Sequence, residues 1–187
     1  ERIPVAEAER LKWHEQKARI GERFGYWEPA VWHLDQLLAA QPDDVELHRR
    51  RGRALGELGR LEAADAQKEF QRVIAANPDD LESRAFLAAA YCGLDRLADY
   101  QTACQGLLPL IKQSQDAERL ALALGVSLFR TEAGVDVKEL EALAQAAVEP
   151  LADDHAARLS LLVSQATAAY RLGRYQEAAE LLHAALL

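Results

Sequence analysis

Two stretches of this chain follow one plan about three dozen residues apart. Gly52 to Asp80 places the turn Leu58-Gly59-Arg60-Leu61 between two amphipathic runs and closes on Asn77-Pro78-Asp79-Asp80. Ala18 to Asp44 does the same with Gly25-Tyr26-Trp27 at the turn and Gln41-Pro42-Asp43-Asp44 at the close. Gly25 and Gly59 are 34 residues apart, Pro42 and Pro78 36. A helical hairpin of this length is too thin to hide its own apolar face, so it survives by stacking on the next one. The spacing therefore predicts an all-α chain, an α-α superhelix of about five helical hairpins. The expected hairpins are 4–42, 43–78, 79–114, 115–152 and 153–187, forming one domain.

Composition agrees with helices. Half the residues are apolar but only 6% are aromatic, and Ala and Leu dominate, which favours helix over strand. A formal charge of −8 argues against nucleic acid as a partner, since such proteins present a basic face. The local exception is His48-Arg49-Arg50-Arg51-Gly52-Arg53. No run of about 20 apolar residues is present to span a membrane. Behind Glu1-Arg2-Ile3-Pro4 there is no apolar core of a secretory leader. The chain has no Met and its ends read as interior to a helical array, so a fragment of a longer protein is expected. Cys92 and Cys104 fit no metal-binding spacing. Two reduced core thiols in a reducing, cytoplasmic setting are expected, with a disulfide or redox pair as the alternative.

Along the chain, helices are expected over Pro4 to Arg23 and Trp27 to Ala40, the second burying Ala30, Leu34 and Leu37. Asp43 or Asp44 then caps the next helix. In the second hairpin Gly52 takes a close helix crossing, and Ala66, Phe70 and Val73 form the stripe. A two-residue insertion is expected near Ala63 to Ala66. The third turn, Leu94-Asp95-Arg96-Leu97, has Asp in place of glycine, and Tyr100 stands where a methyl is usual, predicting a wider or tilted crossing. Pro109 is expected to weaken or kink its helix. The fourth hairpin diverges most, with Leu120, Leu124 and Leu128, then Leu140, Leu143, Ala147 and Leu151 on its apolar faces. The fifth runs from Ala156 to Arg171, turns at Leu172-Gly173-Arg174-Tyr175, and continues to Leu187.

Gly52, Gly59 and Ala64, Asn77-Pro78, and Gly173-Arg174-Tyr175-Gln176-Glu177-Ala178 together resemble the tetratricopeptide repeat (TPR). The aromatic clusters Trp13-His14, Tyr26-Trp27, Trp32-His33-Leu34-Asp35 and Tyr100 to Cys104 resemble the C-terminal TPR region of planctomycete serine/threonine kinase or WD-repeat proteins. These resemblances imply an accessory interaction module, with catalysis elsewhere in a parent chain.

Tests for chemistry give little. His14, His33, His48, His155 and His183 form no H-E-x-x-H or ligand-spaced cluster and are expected at the surface or the groove edge. Asp43-Asp44, Asp79-Asp80 and Asp153-Asp154 recur at hairpin junctions, which suits capping better than acid–base catalysis. Gly52-x-x-x-Gly56-x-x-Gly59 lacks the preceding strand a phosphate loop needs. No enzyme activity, metal or cofactor is expected.

In TPR stacks the first helix of each hairpin lines a concave groove. By that resemblance the groove includes Lys12, Glu15, Arg19, Glu22 and Arg23, then Arg49 and Arg53, then Glu82, Ala85 and Ala89. The last hairpin adds Ser160, Val163, Thr167 and Arg171. The candidate partner-binding residues are Lys12, Arg19, Arg23, Arg49, Arg53 and Arg171, cations suited to a peptide carboxylate or phosphate. The alternative is a solvated helix face with intrahelical ion pairs. TPR domains that clamp chaperone C-termini place Lys and Asn on the groove helices, and here the single Asn, Asn77, sits at a junction. The expected function is a protein-interaction scaffold for a protein or peptide, anionic by the arginines. The rival is a docking or oligomerisation module whose Leu181 to Leu187 tail meets a neighbouring domain or a second copy.

Overall fold

The computed structural model describes residues 3–60, 64–152 and 156–185, with side chains from residue 6 onward. These residues form ten helices and no strand. The chain divides into two compact units, Glu1–Ala90 and Tyr91–Leu187.

The first unit contains α1 (Ile3–Phe24), α2 (Trp27–Ala40), α3 (Val45–Glu57), α4 (Ala64–Ala76) and most of α5 (Leu81–Gly93). Each of α1 to α4 packs on the helix next to it in the chain. Ala18, Leu34, Leu37, Leu47 and Ala54 make one apolar cluster, and Leu55, Ala66 and Phe70 another. The expected stripes of α2 and α4 are therefore the buried ones. Left-handed backbone at Gly25 (φ 73°) and Gly59 (φ 70°) reverses the chain at both turns. Asp44 caps α3, its Oδ1 accepting from the backbone N–H groups of Glu46 and Leu47 at 2.9 and 3.1 Å. Buried Asp80 does the same for Ser83 at 2.8 Å. Helix α4 runs unbroken from Ala64 to Ala76. The rest of the expected insertion, and Leu61 of the turn, lie outside the described residues.

The second unit holds the end of α5, then α6 (Leu97–Gln113), α7 (Ala117–Phe129), α8 (Val137–Val148), α9 (Ala156–Arg171) and α10 (Tyr175–Ala185). From α6 onward consecutive helices pack together, and α7 also packs on α9. Asp95 takes the glycine's part at its turn, with φ 55°, a conformation a short polar side chain tolerates. Arg130 donates to its carboxylate at 2.7 Å. Tyr100 is fully buried, and its hydroxyl donates to the Val126 carbonyl at 2.6 Å and accepts from the Arg130 N–H at 3.3 Å. The phenol thus ties α6 to the end of α7.

Pro109 lies inside α6, which continues to Gln113; the proline and Gln105 are both exposed, and the Gln105 carbonyl has no N–H at residue 109 to accept. One expectation needs correction. In α8 the buried stripe is Leu140, Ala144 and Val148, while Leu143, Ala147 and Leu151 are half-buried. Asp153, Asp154 and His155, and the tail's Leu186 and Leu187, lie outside the described residues.

Gly52 shows why small residues matter here. A Cβ built on it would lie 2.8 Å from Cε1 of Phe70. That ring is fully buried and stacked on Phe86, centroids 5.2 Å apart at 15°, so it has nowhere to move. Alanine favours helix over glycine by about 1 kcal/mol, but overpacking costs about 1–3 kcal/mol. Gly52→Ala is expected to lower unfolding stability by up to about 2 kcal/mol in chemical denaturation; a gain in stability would contradict the close crossing.

Candidate functional site

The positions expected to form a basic groove fall in two places. Lys12 and Arg19 of α1 line a cleft of about 450 Å³ with Ala8, Leu11 and Glu15, closed by Leu37, Leu47 and Arg50. Arg23, Arg49, Arg53 and Arg171 lie elsewhere. Arg23 sits 5.5 Å over the Phe24 ring. Arg171 belongs to the second unit, where it donates to the carbonyls of Leu128 at 3.2 Å and Thr131 at 3.0 Å and so closes the end of α7.

Three of these six cations, Arg19, Arg49 and Arg53, already have carboxylates from their own chain. Arg19 donates to Glu15 at 2.5 Å. Arg49 pairs with Glu46 at 2.9 Å and with buried Asp80 at 3.2 Å. Arg53, the more open of the α3 arginines, is 3.7 Å from Glu82. The intrahelical pairing foreseen as the alternative is thus present, and pairing between helices exceeds it.

Arg50 and Arg51 carry that pairing. Arg50 of α3 meets Glu15 at 2.8 Å and Glu22 at 2.9 Å, both on α1. Arg51 meets Asp35 of α2 at 2.6 Å and Glu69 of α4 at 3.0 Å. Burial alone would raise the Glu15 carboxyl, but Arg50 and then Arg19 outweigh it and hold it below its usual 4.5. The run from 48 to 53 was visible in sequence. Successive helical residues point about 100° apart, so such a run surrounds a helix and does not pave one face. Arg50→Ala is expected to cost about 1–3 kcal/mol by removing the guanidinium that Glu22 and Glu15 share, leaving Glu15 only Arg19, whereas Arg53→Ala should stay within about 0.5 kcal/mol. Equal costs in urea denaturation would refute the distinction.

The histidines also depart from expectation. His14, His33 and His48 are buried, not at a surface or groove edge, while His183 is exposed. His48 Nε2 lies 2.8 Å from the Pro42 carbonyl, which can only accept, and its Nδ1 meets the Glu69 carboxylate. His14 and His33 are 5% and 9% exposed, with their Nδ1 atoms 3.0 Å apart. That contact needs one N–H and one bare nitrogen. The partners are 19 and 21 residues apart, too far for ligand-spacing rules to find. Trp13 stacks edge-on to both rings of the His14–His33 pair, at 4.9 and 5.1 Å.

Burial holds His33 below its usual 6.5, with His14 and then Lys17 adding to the effect. A base with a lowered folded value leaves stability intact above about pH 6.5 and loses it below, where the unfolded chain takes up the proton first. All three Trp residues, Trp13, Trp27 and Trp32, lie on α1 and α2, so their emission reports this hairpin. Between about pH 7.5 and about pH 5.5 the urea midpoint by Trp emission is expected to fall, and to fall less in His33→Gln. The same slope in both proteins would rule the pair out as its source.

A second concavity lies in the second unit and is apolar. Ala121, Gly125, Leu128 and Phe129 of α7 face Leu159, Ser160, Val163, Ser164 and Thr167 of α9 across a groove of about 510 Å³. Phe129, Leu159 and Val163 are 78, 50 and 40% exposed. The α9 side matches the expected positions Ser160, Val163 and Thr167. The α7 side was missed because that hairpin carries the weakest repeat signal. Ser164 and Thr167 donate to the carbonyls of Ser160 at 2.9 Å and Val163 at 2.8 Å within α9.

Cys92 is half-buried and Cys104 buried, both free; burial pushes both thiols up. Among the described residues no group of three His, Cys, Asp or Glu is placed to hold a metal ion. No helix there is long and apolar enough to cross a membrane.

No protein-family model matches the sequence, and no curated protein matches it. Solved structures do share its fold. A MamA protein from Desulfovibrio magneticus RS-1 superposes with a TM-score of 0.59 at 17% identity, over 95% of this chain and 93% of that one. A putative kinesin light chain with TPR-like repeats from Podosopora anserina gives 0.62 at 22% identity, over 95% and 93%. A tetratricopeptide repeat protein from Parabacteroides merdae gives 0.64 at 16%, over 97% and 65%. The chain therefore has the TPR-like helical-repeat fold of the α-α superhelix class.

Proposed function

We propose that this chain is a non-catalytic, cytoplasmic protein-interaction scaffold that binds a polypeptide on its first-of-hairpin helices. The observation that carries the reading is the open α7–α9 groove, lined without a charged residue and edged by exposed Phe129, Leu159 and Val163. Apolar surface held open in this way gains free energy when covered. The TPR-like fold of its structural neighbours supports the same reading. Lys12 and Arg53, both exposed, remain candidates for contact with an anionic segment of the partner. Arg19, Arg49 and Arg171 would first have to leave their present acceptors.

A second reading is favoured by Trp13, Phe24, Tyr26 and Trp32, large exposed rings on α1, α2 and the turn between them. They suit docking onto another domain of a larger chain, such as the kinase or WD-repeat parent that the planctomycete resemblance implies. Leu182, exposed near the end of α10, offers a lesser surface of the same kind.

The test uses fluorescence polarisation with labelled amphipathic helical peptides and the double variant Leu159→Glu/Val163→Glu. Both side chains are exposed, so the fold should persist. Saturable binding by the original chain that weakens about tenfold or more in the variant supports the groove. No binding, or binding unaffected by the variant, overturns it.

A further inference from the structure

The His14–His33 contact fastens the first half of α1. Among residues 6–14, His14 is the only one buried; Leu11 is half-buried and the others are exposed. Its partner His33 shares the buried side of α2 with Ala30, Leu34 and Leu37. Trp13 and Trp32 both lie against the two imidazoles, Trp32 at 5.5 Å from the His14 ring and 4.7 Å from that of His33. The same half of α1 supplies Ala8, Leu11 and Lys12 to one side of the α1–α3 cleft. What holds the pair together therefore holds that wall.

The contact admits few arrangements of protons. One Nδ1 carries a hydrogen and the other accepts it. A first added proton leaves this bond intact, because the donating ring has a bare Nε2 to receive it. A second puts N–H groups and positive charge on both sides of a 3.0 Å gap, where like charges repel. The surroundings give no relief. One turn from His14 on α1 stand Arg10 and Lys17. One turn from His33 on α2 stand Pro29, Ala30, Gln36 and Leu37, none of them charged. From α3, Arg50 and Arg51 hold the neighbouring carboxylates Glu15 and Asp35. Burial first, then His14 and Lys17, already make His33 a weaker base than an ordinary imidazole. A separated pair takes up the second proton more readily than a closed one, so falling pH favours separation.

We propose that the His14–His33 pair is an acid-operated latch. Closed at neutral pH, it holds the first half of α1 against α2. Protonation of both rings releases that half and opens the Ala8, Leu11 and Lys12 side of the α1–α3 cleft. Release is local, because Ala18 and Gly21, buried nearer the turn, keep the second half of α1 in place. The device lies apart from the α7–α9 groove and does not depend on what that groove binds.

Native-state hydrogen exchange of the full chain, read by NMR and corrected for the intrinsic rate at each pH, tests this. Between about pH 7.5 and about pH 5.5 the protection of amides 10–18 should fall about tenfold, the factor for one proton over about one pH unit below the ordinary imidazole value. Helices α7 and α9 contain no histidine, and their amides should change less than about twofold. The double variant His14→Gln/His33→Gln should remove the fall. An equal fall in α7 and α9 marks general acid destabilisation and overturns the latch. Protection that holds at both pH values overturns it too, as does a fall that persists in the double variant. Should that variant not fold, the imidazole Cε1 protons of the original chain decide. Loss of protection that follows the second proton taken up by the pair supports the latch; both rings protonated with protection intact overturns it.

Discussion

Helix α3 carries three adjacent arginines and a buried histidine through its middle, and that is tolerable only because carboxylates and a carbonyl meet them on several sides. His48 meets Glu69 and the Pro42 carbonyl, Arg49 meets Asp80, Arg50 meets Glu15 and Glu22, and Arg51 meets Asp35 and Glu69. These partners come from α1, α2, α4 and the residue before α5. Removing water from an unpaired cation costs several kcal/mol, while a matched pair offsets most of that cost. A pair of this kind contributes little net stability but much selectivity. Any register of the first unit that moved one helix by a turn would strand several charges at once. Apolar stripes supply the drive to pack, and the charges restrict which packing survives.

The parts legible in sequence were those governed by local rules. A left-handed turn favours glycine and an N-cap favours Asp, so Gly25 and Gly59 could be placed from their neighbours alone and the cap of α3 narrowed to Asp43 or Asp44. The stripes of α2 and α4 followed from period. The α8 stripe was misplaced by one position or more because its Leu and Ala residues satisfy several i, i+3, i+4 patterns equally. Only contact with α7 and α9 decides which of them is inside.

The candidate site divides along the same line. Ser160, Val163 and Thr167 came from counting along one helix, but Gly125 and Phe129 enter only when α7 is laid beside α9. The arginine set shows the opposite failure. Counting found the cations, but Asp80 and Glu82, which meet Arg49 and Arg53, lie beyond α4 in sequence. A net charge read from a short run is therefore a statement about one partner of a pair. The pair itself is a tertiary fact, as are the His14–His33 and His48–Glu69 contacts.

The two concavities then differ in the property that decides what each can take. The α1–α3 cleft is lined by Lys12, Arg19 and Arg50 but also by Glu15, Asp44 and Glu46, so its charges are largely matched before any ligand arrives. A charged group entering it must break existing pairs to form new ones, and the exchange returns little free energy. The α7–α9 groove has no such internal competitor. The hydroxyls of Ser164 and Thr167 are bonded within α9, and Phe129, Leu159 and Val163 are exposed. Covering about 300 Å² of such surface is worth about 7 kcal/mol before the costs of association. That difference sets the uncharged groove apart from the α1–α3 cleft, whose charges already meet one another.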